Sequence, residues 1–121
     1  MTTIQRLVAV AVLAATATGC ASPRTGFSVG FGEAARIRHG EDHFRKVCAA
    51  CHGVDGRPGP NPAAPPVERI ARRYSATGLA RELEAVSEVG HYGMPVVRIS
   101  AHDRRNLVAY LIHVKSADAA R

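Results

Sequence analysis

The pentapeptide Cys48-Ala49-Ala50-Cys51-His52 constrains this chain more than any other feature. Two thiols stand three residues apart, and an imidazole follows at once. Three chemistries use such a start: a redox dithiol, half of a zinc site, and covalent attachment of haem. A thioredoxin-like dithiol belongs to a βαβ context, and the surrounding pattern here is helical. Zinc needs further ligands, and the one other cysteine is the distant Cys20. His39 and His43 have helical i, i+4 spacing, and both suit a solvent face. Haem attachment uses both thiols and the imidazole. Each thiol adds to one vinyl group on one edge of the macrocycle, and the next residue presents its imidazole to iron. The motif therefore predicts one covalent haem c, with Cys48 and Cys51 as thioethers and His52 as an axial ligand.

The first residues predict an extracytoplasmic destination. Arg6 precedes Leu7 to Ala15, nine residues without a polar group, and small residues follow up to Gly19. That is the charged, apolar and small-residue order of a secretory signal. The run is far shorter than the roughly 20 residues of a spanning helix. Ala17-Thr18-Gly19-Cys20 is similar to a bacterial lipobox, with Ala where Leu is usual. Residues 1–19 are thus expected to be a removable leader of lipoprotein type. Cys20 becomes the lipidated first residue, held at a membrane surface by several acyl chains. Ordinary cleavage near Ala21 is the alternative.

The remaining chain reads as one small all-α domain. Residues 20–32 are rich in turn formers and are expected to be a flexible tether, followed by a domain over 33–115 and a disordered tail over 116–121. A helical pattern runs from Glu33 to Ala50, with Ile37, Phe44, Val47 and Cys51 on one face. Gly40 lies one turn before Phe44. It costs roughly 1 kcal/mol relative to Ala, which a close helix crossing would offset. Five of the seven prolines fall between Gly53 and Pro66, which excludes regular structure there. A short helix is expected over Val67–Tyr74. Another is expected from Thr77 as N-cap to Val89, with Leu79, Leu83 and Val86 on one face and Gly90 as the stop. Ser100-Ala101-His102-Asp103 opens a last helix as a capping box, with Leu107, Tyr110, Leu111 and Val114 as its apolar face. With no Trp, three Phe and three Tyr, a cofactor would supply apolar bulk that the side chains lack.

Met94 is the expected sixth iron ligand. It is the one methionine besides Met1, and it is set on a turn in Gly93-Met94-Pro95. His91 is the rival, and His102 and His113 fall on the last helix. Thioether ligation raises the reduction potential relative to two imidazoles.

Over most of residues 35–115 the chain resembles the monohaem class I cytochromes c. The resemblance rests on Gly40-x₃-Phe44-x₃-Cys48-x₂-Cys51-His52-Gly53, on Gly93-Met94-Pro95, and on Asn106 to Leu111 with Tyr110. It implies three to four helices wrapped around one haem. The first and last helices would cross, packing Gly40 and Phe44 against Tyr110. It also implies that a proline carbonyl after the motif receives the imidazole N–H. Pro60 is the residue so placed, with Pro62 as the alternative.

The expected function is that of an electron carrier rather than an enzyme, since two strong axial ligands leave iron no open position. The carrier would serve a redox donor and acceptor in the bacterial periplasm. The alternatives are a dedicated cytochrome subunit of a membrane-associated dehydrogenase or oxidase, and a gas-binding or sensor haem protein in which Met94 does not hold. The net charge is +6. Its densest patch, Glu68 to Arg73, reads as a solvated helix face or as a docking face for acidic redox partners. The sequence carries no nucleic-acid-binding motif. Arg57, Tyr74 and Arg98 are candidates for contacts to the haem propionates.

Overall fold

A computed structural model describes residues 24–121 apart from Tyr92, with side-chain surroundings from Gly32 onward. The leader expected over 1–19, and Cys20 with it, lie outside the described residues. Among the described residues the fold is all-α. Helix α1 (Arg24–His43) runs into a π-helical turn (Phe44–Cys48). Helices α2 (Val67–Arg73), α3 (Ala76–Val89) and α4 (Ala101–Ala119) follow. No strand forms among these residues, and a single antiparallel bridge joins His91 to Met94.

Helices α1 and α4 cross, and this is the main helix–helix contact of the fold. The crossing is possible because residue 40 has no side chain. A β-carbon on Gly40 would meet the Asn106 carbonyl oxygen and stand 2.7 Å from Tyr110 Cβ. Below it Phe44 packs on Tyr110, with ring centroids 5.8 Å apart and planes inclined at 54°. Phe44, Leu79, Leu107 and Leu111 are buried at the centre, so the apolar faces expected of α3 and α4 do meet in one core.

The boundaries differ from expectation in four places. Helix α1 begins at Arg24, inside the stretch expected to be a tether. Once the helix is anchored on α4, each upstream residue adds a backbone hydrogen bond without a new nucleus. Helix α4 continues through Ala119 rather than fraying at 116. Its end is alanine-rich, and Arg72 of α2 pairs with Asp118. The cap of α3 is Ser75, whose hydroxyl accepts the Gly78 N–H at 3.1 Å, and not Thr77. Finally, Val47 is 38% exposed. The π-helical turn winds more residues per turn than an α-helix, which carries Val47 off the face it shares with Ile37 and Phe44 in a regular α-pattern.

Candidate haem site

The π-helical turn delivers Cys48 to the interior. Its end is closed by the Ala49 N–H to the Phe44 carbonyl at 2.9 Å, and the His52 N–H reaches the Cys48 carbonyl at 2.9 Å. His52 is thereby carried beneath Phe44, whose ring centroid lies 6.3 Å from that of the imidazole. Burial pushes the Cys48 thiol up to about 11, so the free thiol is a neutral, apolar group at neutral pH.

After His52 the chain doubles back tightly. A β-carbon on Gly59 would strike the Cys51 carbonyl oxygen and stand 2.6 Å from the His52 carbonyl carbon, so two stretches of backbone touch there. Asp55 adopts a left-handed φ of 56° at the tip. Arg45 grips both of its carboxylate oxygens, at 2.8 and 3.1 Å, and also holds Glu41 at 2.9 Å. On the other side the buried Glu68 accepts the Gly56 N–H at 2.8 Å. The loop is pinned from the π-helical turn by Arg45 and from α2 by Glu68.

The imidazole N–H is directed at Pro65, with Nδ1 2.8 Å from its carbonyl oxygen. This corrects the expectation of Pro60, and equally of Pro62, both of which are exposed. Those prolines lie on the outer part of the loop, while Pro65 lies where the chain returns to enter α2 at Val67. The Val67 N–H fixes that return by bonding the Gly53 carbonyl at 2.9 Å. A carbonyl only accepts, so Nδ1 carries the hydrogen and Nε2 keeps its lone pair for a metal.

His52 opens on a cavity of about 410 Å³, within the usual range for small-ligand sites. Cys48, Leu79, Val86, Met94 and Leu111 share its lining with His52, and His91 lines it too. Cys51 is half-buried and does not line it. The fold thus brings together three of the four residues expected to bind the cofactor and its iron, and it brings the rival ligand as well. Arg57 and Arg98 are exposed and line no part of the cavity, whereas Tyr74 does. Arg69, Arg73 and Glu82 line it without having been expected there. The signal for the two arginines was the i, i+4 spacing of Arg69 and Arg73 around Ile70, which is half-buried and lines the same cavity. Arg73 also lies over the Tyr74 ring, 5.7 Å from its centroid.

These residues suit a covalent haem. They supply a mostly apolar chamber, a thiol in its wall, and an imidazole whose second nitrogen is already bonded. A four-helix chain with that site is a c-type cytochrome domain, and such a domain implies covalently bound haem c. Residues 35–111 match the family described as cytochrome C oxidase, cbb3-type, subunit III, and the chain belongs to that family. No curated protein and no solved structure matches the chain.

Proposed function

We propose that the chain carries one electron at a time on a single haem c ligated by His52 and Met94. The observation that carries this reading is that His52, with its Nδ1 satisfied by Pro65, shares one cavity with Met94 and Cys48. When bound, haem c supplies a one-electron ferric/ferrous couple. The protein's residues do the rest. Cys48 and Cys51 would hold the haem as thioethers, each S–H adding across one vinyl group with no net oxidation. Pro65 fixes the plane of the imidazole and raises its basicity as a ligand. Met94 contributes a soft thioether that favours the ferrous state. Arg69 and Arg73 are suited to the propionates, and Leu79, Val86 and Leu111 give the wall its apolar character. One Cys-x-x-Cys-His motif in the whole chain supports one haem.

Met94→Ala tests the reading. His52 and both thioethers remain, so the fold survives, the potential falls, and the ferrous protein gains carbon monoxide binding. If instead His91→Ala opens the iron and Met94→Ala is silent, ligation is by two imidazoles.

A second reading, a dedicated subunit of a membrane oxidase, is favoured by the family match, since that family is described as an oxidase subunit. Copurification with an oxidase from detergent extracts supports the subunit. Recovery as a free monomer supports the mobile carrier. In either case we propose a periplasmic location and an anchor on Cys20. Mass spectrometry of the mature N-terminus tests the anchor, and a free amine at Ala21 or later refutes it. Partners with acidic faces fit the net charge of +6. Association rates that fall steeply with salt would support them.

A further inference from the structure

We propose that Ser87 is a positioning residue for the sixth ligand, holding the base of the loop that carries Met94; this rests on Met94 being that ligand. Helix α3 and helix α4 are joined by residues 90–100, with Met94 near the middle. The outgoing limb is well fixed. Gly90 closes α3 with φ of 68°, its N–H bonding the Val86 carbonyl at 3.1 Å. A β-carbon there would lie 2.8 Å from the Met94 carbonyl oxygen, and the Met94 N–H bonds the His91 carbonyl at 2.8 Å. Met94, bonded to His91, is therefore held back against the helix end at Gly90.

The returning limb is different. Pro95 has no N–H to donate, and among the described residues no backbone hydrogen bond between main-chain groups holds Pro95 to Ile99. Among the described residues, Val97 packs against the core, and the hydrogen bonds that hold the limb's end come from one side chain. The Ser87 hydroxyl accepts the Ile99 N–H at 2.9 Å and stands 3.4 Å from the Ile99 carbonyl oxygen, to which it donates. A single hydroxyl thus makes both contacts that a paired strand would make. Ile99 is buried, so an N–H left there without a partner is costly. The Ser87 bond joins the last turn of α3 to Ile99, one residue before Ser100, the cap of α4. It ties the two helices together at the ends of the loop. With the hydroxyl gone, the loop ends spread and Met94 is no longer held toward His52. The opposite wall, built by Cys48, His52 and Pro65, contains no group bonded to Ser87.

The test compares wild type, Ser87→Ala, Ser87→Thr and Met94→Ala as holoproteins. Far-UV circular dichroism reports the fold, and carbon monoxide association with the ferrous protein and the midpoint potential report ligation. Ser87→Ala is expected to keep its helical signal and bind carbon monoxide about tenfold faster than wild type. Its potential should shift toward that of Met94→Ala. Ser87→Thr, which keeps the hydroxyl, should return both readouts toward wild type. If Met94→Ala binds carbon monoxide freely while Ser87→Ala behaves as wild type, the role of Ser87 is overturned. It is overturned too if Ser87→Thr is as impaired as Ser87→Ala. If Met94→Ala gains no carbon monoxide binding, the ligand assignment itself fails, and the role of Ser87 falls with it.

Discussion

The Asn106 carbonyl of α4 lies against the Cα of Gly40 in α1, close enough that a β-carbon at residue 40 would overlap it. The obstruction is backbone, and a flexible side chain cannot move aside to relieve it. Gly40→Ala should gain about 1 kcal/mol in helix propensity and lose about 3 kcal/mol to overpacking at the crossing. The net destabilisation of about 2 kcal/mol is measurable by denaturant unfolding of the holoprotein, and a neutral or stabilised variant would contradict this crossing.

Attachment should require both thiols. Cys48→Ala and Cys51→Ala should each leave at most a singly bonded, labile haem. The double substitution should leave none that migrates with the chain on a denaturing gel. Covalent haem in the double variant would refute the assignment.

Arg69 and Arg73 line the cavity, and no carboxylate of the described residues pairs with either. A cation there favours the ferrous state, which carries one positive charge less. Arg69→Gln and Arg73→Gln should each lower the midpoint potential, by on the order of 1 kcal/mol or about 40 mV per electron. Redox titration at low ionic strength reads this directly. Arg98→Gln, outside the cavity, should shift it less.

Stability should fall at acid pH from two carboxylates. The Arg45 guanidinium holds the Asp55 carboxyl below its ordinary range, and the Ser100 hydroxyl does the same for Asp103. A carboxyl lowered in the folded state contributes stability that is complete above its unfolded value of about 4. That contribution is lost as pH falls through the lower folded value. Both groups are solvated, so the effect is modest. Thermal melts should show a lower midpoint at pH 3 than at pH 5. Asp55→Asn and Asp103→Asn should flatten that slope, and unchanged slopes in both would remove these pairs from the acid response.

The local elements were legible in the sequence because short-range chemistry decides them. Cys48-Ala49-Ala50-Cys51-His52 has the spacing of a haem attachment motif, set by neighbours along the chain. Gly90 ends α3 because its left-handed φ is open to glycine. Ser100 and Asp103 cap α4 through a bond between neighbours, the Asp103 N–H to the Ser100 hydroxyl at 3.1 Å. Leu79, Val86, Leu107 and Leu111 declared their faces by period. What only the tertiary structure decided are the contacts between residues far apart in the chain. Pro60 and Pro62 were the prolines singled out after His52, and the choice of Pro65 instead depends on Gly53 and Val67 drawing the loop back to α2. The exposure of Val47 depends on a π-helical turn whose winding no apolar period shows. Arg69 and Arg73 looked like a solvated stripe until α2 was laid beside the cavity. The persistence of α4 to Ala119 depends on Asp118 meeting Arg72 from another helix. Sequence spacing determines what neighbours along the chain can do, whereas pairings across the fold are selected by packing, which weighs all of them at once.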